Sequence, residues 1–294
     1  MFSLFKFLCY SLVISASLVT CSKKSTDGGD DNPPPFQYRC SDFEAAWSPD
    51  GKTIAFISGG NPDKQIPAGL YFVDSDGSNR RLFFPGAKVY APDWSPDGEW
   101  IVFSNYAQIY KVEVNGDSLT QLTTLENGRC HYPKWSPNGK KIAYVIRIGE
   151  SGGTWIMNFD GTDKRRIIDG DYPDWRKDPL QIVYVGPGAE IWIADTNGTG
   201  AKRLTFLNSI TQYPKWSPDG SKIVFSSMKE SPPQIFVMDA DGSNLKQLTT
   251  EGASYPAWSP DGEEIVYTDV RGEYGRLFIM KADGSDKRQL TFDE

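Results

Sequence analysis

The sequence predicts an all-β fold, a six-bladed β-propeller of four-stranded antiparallel blades. Three observations predict it. Trp47, Trp94, Trp135, Trp175, Trp216 and Trp258 recur every 40 to 42 residues after a first interval of 47. Five of these open a Trp-Ser-Pro-Asp/Asn-Gly turn. Each unit then carries an apolar strand and, later, an Asp-Gly or Asn-Gly hairpin signal. Self-similarity at such a period marks a repeat architecture, and four strands in about 42 residues make a propeller blade.

Each element has its own warrant. The first strand ends at the Trp. Pro then Asp then Gly suits a type I turn with Gly in the left-handed position. Seven residues after each Trp stand Ile54, Ile101, Ile142, Ile182, Ile223 and Ile265. Two residues further stand Phe56, Phe103, Tyr144, Tyr184, Phe225 and Tyr267, with Ala or Val between. A strand apolar on both faces is buried on both, as a blade between two neighbours requires. Third strands are expected at 70–73, 109–112, 155–157, 191–193, 235–238 and 277–280. The hairpins Asp76-Gly77, Asn115-Gly116, Asp160-Gly161, Asn197-Gly198, Asp241-Gly242 and Asp283-Gly284 follow. Fourth strands close the units, as at 203–206 and 247–249. The fourth unit reads Trp175-Arg176-Lys177-Asp178-Pro179 in place of the usual turn, but it keeps the distance to Ile182, so its blade is retained.

The Trp-Ser-Pro-Asp-Gly turn, the Ile-Ala/Val-Phe/Tyr strand, the Asp-Gly hairpin and the terminal Leu-Thr resemble the TolB-like propeller family over residues 41–294. The resemblance implies a propeller that docks protein partners on one face. It departs from TolB itself, which carries an α/β domain where this chain has a short tether. The first unit begins with its inner strand, and the last ends with an outer strand at 289–292. Closure is therefore expected by side-chain packing between blades one and six, with 36–39 as a further candidate for edge pairing.

Residues 1–20 read as a secretory signal, with Lys6 ahead of an apolar stretch too short to span a bilayer. Leu18-Val19-Thr20-Cys21 resembles the lipobox of bacterial lipoproteins, with Thr20 where Gly, Ala or Ser is usual. The resemblance implies lipidation of Cys21, and Ser22 resembles an outer-membrane retention signal. Residues 21–35 have no apolar side chain beyond Cys21 and read as a tether ending in three prolines. The propeller is assigned to 36–294.

The net charge of -7 argues against a nucleic-acid surface. Candidate site residues lie where the inner strands begin, at the channel mouth. Three residues before the Trp the units read Glu44, Ala91, Tyr132, Tyr172, Tyr213 and Tyr255. Four tyrosines at one position form an arc suited to binding or to packing between blades. His131 adjoins Tyr132 and is the one histidine of the chain, which restricts catalysis and metal binding. One residue before the Trp the row is Ala46, Asp93, Lys134, Asp174, Lys215 and Ala257, whose alternating signs predict pairing between neighbouring blades. The segment from Asp74 to Asn79 is similar to a calcium loop but lacks its terminal acid. No metal and no cofactor are expected. Cys40 and Cys130 fall in non-adjacent units, which argues against a disulfide between them.

The expected function is a non-enzymatic, lipid-anchored, monomeric propeller. It binds a protein partner in the bacterial cell envelope, at the outer membrane facing the periplasm. The alternative is a polysaccharide-binding or lyase-like propeller. Some propellers of this kind are oligogalacturonate lyases, whose histidine cluster around a metal a single histidine does not supply.

Overall fold

The structure is a computed structural model that describes residues 42–292 apart from 62, 63, 150 and 273. Cys9, Cys21, Cys40, the tether and residues 36–39 lie outside the described residues. The described chain forms six four-stranded antiparallel sheets, each with its strands in sequence order. Blade one is β1 (Asp42–Trp47), β2 (Thr53–Ser58), β3 (Gly69–Asp74) and β4 (Arg81–Pro85). Blade two is β5 (Val89–Trp94), β6 (Trp100–Asn105), β7 (Gln108–Glu113) and β8 (Thr120–Gln121). Blade three is β9 (Arg129–Trp135), β10 (Lys141–Ile148), β11 (Ser151–Asn158) and β12 (Arg165–Ile168). Blade four is β13 (Asp171–Arg176), β14 (Gln181–Gly186), β15 (Glu190–Asp195) and β16 (Lys202–Arg203). Blade five is β17 (Thr211–Trp216), β18 (Lys222–Ser227), β19 (Gln234–Asp239) and β20 (Lys246–Gln247). Blade six is β21 (Ala253–Trp258), β22 (Glu264–Asp269), β23 (Arg276–Lys281) and β24 (Arg288–Gln289).

The doubly apolar second strands are the core. Ile54, Ile101, Ile142, Ile182, Ile223 and Ile265 are wholly buried, and the six aromatics two residues on are buried with them. The fourth strands are shorter than the sequence suggests. In blades two, four, five and six the ladder stops before the Leu-Thr pair. There a side chain takes over from the backbone. Thr123, Thr205, Thr249 and Thr291 each accept, through Oγ1, the N–H of the third strand's second residue, Ile109, Ile191, Ile235 or Leu277, at 2.8–3.0 Å.

The repeated turns also join the blades. Ser48 Oγ donates to Asp50 Oδ1 at 2.6 Å and accepts the Thr53 N–H at 3.0 Å, and the same arrangement recurs at Ser95, Ser217 and Ser259. These serine bonds hold the turn aspartates below the usual carboxylate range, Asp219 at about 2. The turn glycine of one blade lies against the turn proline of the blade before it: Gly98 on Pro49, Gly139 on Pro96, Gly262 on Pro218 and Gly51 on Pro260. In blade four, which lacks that proline, the Arg176 side chain meets Gly220 instead and stacks over Trp216 at 4.8 Å.

Blades six and one share no strand, since each keeps its own four. They meet through a continuous apolar cluster in which Ala45, Ile54, Phe56 and Tyr71 pack against Val266, Leu277, Ile279 and Leu290. Side-chain packing thus closes the ring among the described residues. One polar device supports it. Arg80 lies over the Phe56 and Tyr71 rings and forks onto Asp42, at 3.1 and 3.2 Å. Asp42 is 1% exposed, and its N–H donates to Gly275 O across the seam at 2.9 Å. The equivalent residues in the other five blades are Val89, Cys130, Gly170, Thr211 and Ala253, so this ion pair belongs to the seam alone.

Candidate functional site

All six inner strands carry the same irregularity. Their register against the second strand slips between the fourth and the first residue before the Trp. The residue three before the Trp sits at positive φ throughout: Glu44 at 54°, Ala91 at 51°, Tyr132 at 52°, Tyr172 at 53°, Tyr213 at 55° and Tyr255 at 55°. Non-glycine residues seldom take this conformation, and where six equivalents do, the fold imposes it. A β-bulge re-aims a side chain, and here it aims six into the central channel. The next residue is Pro92, Pro133, Pro173, Pro214 or Pro256 in five blades. Proline has no N–H to leave unpaired, which suits a bulge. A proline within an otherwise regular strand was the signal that marks this bulge in the sequence.

The four tyrosines are brought together. Ring centroids lie 4.5 Å apart for Tyr132–Tyr172, 4.5 Å for Tyr172–Tyr213 and 4.2 Å for Tyr213–Tyr255. The rings meet at tilted to edge-on angles of 51°, 66° and 35°, so they fill their sector of the channel. Burial raises the hydroxyls of Tyr132 and Tyr213 well above the ordinary tyrosine value, with the neighbouring rings and Glu44 adding to it. His131 lies beside Tyr132, 5.9 Å between centroids. Burial, with the charges of Arg147 and Arg129, pushes its imidazole down to about 4, so it is neutral near pH 7. Arg147 pairs with Asp171 at 2.7 Å in the same rim. The rim above the tyrosines thus consists of Phe43, Tyr90, His131, Asp171, Gln212 and Ser254, one per blade and all different. Of this row the sequence reading singled out His131 alone.

Below the tyrosines the alternating row pairs as its signs suggest. Lys134 Nζ lies 2.7 Å from Asp93 and Lys215 Nζ 3.3 Å from Asp174. The same carboxylates accept the Trp135 and Trp216 backbone N–H groups at 2.8 and 2.9 Å, tying each blade to the next. Burial lowers Lys215 to about 8, against the Asp174 charge and with the Lys134 charge. Burial acts the same way on Lys134, but Asp93 and Asp174 outweigh it and raise its value.

At the level of the tyrosines, blade one places Glu44. Its Oε2 accepts the Ala91 N–H at 2.6 Å. Burial raises the carboxyl from 4.5 to about 7, opposed by that hydrogen bond and by Lys134 and Lys215. The native state therefore favours protonated Glu44. That contribution to stability is whole below pH 4.5 and is lost as pH rises through 7. It amounts to about 3 kcal/mol. The melting temperature of the native chain is expected to fall between pH 5 and pH 8 by more than that of Glu44→Gln, whose amide still accepts the Ala91 N–H. Equal slopes would show that Glu44 does not titrate in this range.

Cys130 is a buried free thiol. Among the described residues no group of three His, Cys, Asp or Glu side chains is placed to hold a metal ion. In the calcium-like segment, Asp74 and Asp76 are engaged by Asn79 and by the Ser78 N–H.

The family model for the TolB beta propeller domain matches residues 37–178 and 172–294. The TolB homologue of Chlorobium luteolum is 30% identical over 158 residues, covering 48% of this chain and 34% of that protein. The Tol-Pal system protein TolB of Francisella tularensis subsp. mediasiatica is 27% identical over 198 residues, covering 61% and 45%. The matches thus span less than half the length of these two relatives. The crystal structure of TolB from Acinetobacter baumannii superposes with a TM-score of 0.70 at 22% identity, covering 81% of this chain and 63% of that one. That likeness is one of fold.

Proposed function

The chain belongs to the TolB beta propeller domain family, and from that membership we propose that it is a non-enzymatic propeller binding a protein partner in the bacterial cell envelope. The surface of its mouth face carries the reading. Tyr106, Phe206, Met228, Tyr274 and Phe292 lie on the loops of that face, with Ile148 at the end of β10, and are exposed. Phe206 and Tyr106 are 71% and 68% exposed. Three of these rings sit under a cation: Lys88 on Tyr106, Arg203 on Phe206 and Arg276 on Tyr274, at 4.4–5.5 Å. Exposed aromatic and arginine side chains are what protein interfaces concentrate. The tyrosine layer with His131 is the rigid floor of this face.

A partner in the envelope agrees with the Tol-Pal system named for one relative. The polysaccharide alternative gains less support, because the tyrosine rings that would stack on sugars are packed against one another. The lipid on Cys21 rests on the lipobox resemblance. In that reading the propeller faces the periplasm from the outer membrane as a monomer.

The test is affinity capture from envelope extract with residues 36–294. The expected result is one protein retained in stoichiometric amount and lost with Phe206→Ser and Tyr274→Ser, which leave the fold intact. Retention of glycan with no protein would reverse the reading. For the anchor, Cys21→Ser is expected to move the chain from the membrane to the soluble fraction. An unchanged membrane fraction would remove lipidation from the account.

A further inference from the structure

The channel is filled on one side and thin on the other. The tyrosines occupy the sector of blades three to six, whereas blades one and two place Glu44 and Ala91 at that level. One level nearer the Trp turns, blades six and one carry Ala257 and Ala46 where blades two to five carry Asp or Lys. The thin part of the wall thus adjoins Glu44 and opens toward the turn face. On the mouth side Phe43 bridges from Tyr90 to Tyr255, at 6.3 and 5.9 Å between ring centroids, and covers Glu44 from above.

The charges of this channel do not balance. Asp93 pairs with Lys134 and Asp174 with Lys215, leaving Glu44 over. Glu44 lies deep in the channel and uses one oxygen on the Ala91 N–H. Its Oε1 has no partner among the described residues. An ionised carboxyl so placed calls for one positive charge. The approach favours one. The turns of blades six, one and two carry Asp50, Asp97, Glu99, Asp261 and Glu263 against Lys52 alone, whereas in those of blades three to five Lys140 and Lys177 face Asp178 and Asp219. A mouth lined by one sign of charge concentrates ions of the other.

We propose that the channel takes up, through its turn-side mouth, the guanidinium group of an arginine, which pairs with Glu44. A metal ion lacks ligands here, since one free carboxylate oxygen does not hold it. A guanidinium is flat and always charged, forks onto a carboxylate, and stacks on aromatic faces such as those of Phe43 and Tyr90. The arginine belongs to a peptide or to a small molecule, which share this chemistry. The site stands whether or not the mouth face binds a protein.

Uptake requires ionised Glu44, so it strengthens as pH rises through about 7. The other groups facing Glu44 are Tyr90 and Asp93 of β5, Tyr132 and Lys134 of β9, Tyr172 and Asp174 of β13, Tyr213 and Lys215 of β17, and Tyr255 of β21. Strand β2 presents no titratable group. Lys134 and the tyrosines Tyr132 and Tyr213 stay protonated across this interval. Lys215, held at about 8, loses charge at its upper end, which favours the guanidinium further.

The test is thermal denaturation with N-acetyl-argininamide, its uncharged analogue N-acetyl-citrullinamide, and the peptide acetyl-Gly-Gly-Arg-Gly-Gly-amide. At pH 8 and tenfold excess over the Kd, the arginine probes are expected to raise the melting temperature by about 4 °C. The citrulline probe is expected to have no effect, and the rise is expected to vanish at pH 5.5 and in Glu44→Gln. Ala46→Leu and Ala257→Leu fill the approach while leaving Glu44 in place, and are expected to abolish the rise. A larger rise with the peptide assigns the group to a peptide ligand, an equal one to a small molecule. An equal rise with citrulline, a rise that survives Glu44→Gln or both leucine variants, or no rise up to about 50 mM would overturn the proposal.

Discussion

Asp42→Ala is expected to destabilise the ring by about 3–5 kcal/mol, the usual effect of removing one member of a buried ion pair. The melting temperature should fall by about 10 °C for a domain of this size. Arg80 would keep its position over Phe56 and Tyr71 with only the Ser58 hydroxyl, 3.2 Å away, in place of a carboxylate. Taking both charges out, with Asp42→Ala and Arg80→Met together, is expected to recover most of the loss, because an apolar pair does not strand a charge. The loss should also be located. Among the described residues no strand crosses from blade six to blade one, so hydrogen exchange is expected to rise first in β1, β22 and β23. A loss spread evenly over six blades, or none, would mean that the seam is not the weak point of the ring.

Gly77→Val is expected to cost about 1–3 kcal/mol more than Gly116→Val. Both glycines hold the same hairpin position at nearly the same φ, 91° and 93°. Both substitutions therefore carry the same backbone strain. A side chain at Gly116 meets nothing within 4 Å, whereas at Gly77 its Cβ would stand 2.9 Å from the Leu290 carbonyl oxygen of blade six. The difference isolates the contact between the first hairpin and the last strand, and overpacking of this kind costs about 1–3 kcal/mol. Urea denaturation of the two variants gives it directly. Equal losses would show that the first hairpin does not bear on blade six.

Blade number, strand order and the buried second strands were legible in the sequence because six repeats amplify one pattern. An Ile at a fixed distance from each of six tryptophans leaves little freedom. The pairing of Asp93 with Lys134 and of Asp174 with Lys215 was legible for the same reason, as the signs alternate along one row. What the repeat conceals is whatever occurs once. Arg80 and Asp42 are 38 residues apart, and the residues equivalent to Asp42 in the other blades carry no charge. Glu44 shares its position with four tyrosines, and its isolation shows only when opposite blades face across the channel. The fourth strands were drawn too long because Leu-Thr looks like strand, whereas its threonine hydroxyl does the work of a carbonyl. The exposed mouth-face rings lie in loops of unequal length, where no period guides the eye.

The function rests on which face meets the partner. A photoreactive amino acid placed at Phe206 or Tyr274 reports on the mouth face, and one at Phe159 or Leu245 on the turn face; all four side chains are exposed. Cross-linking in intact cells is the most direct measurement. The expected result is one cross-linked protein from Phe206 and Tyr274 and none from Phe159 and Leu245. A protein cross-linked from the turn face alone, or from neither face, would contradict a propeller that binds its partner through the channel mouth.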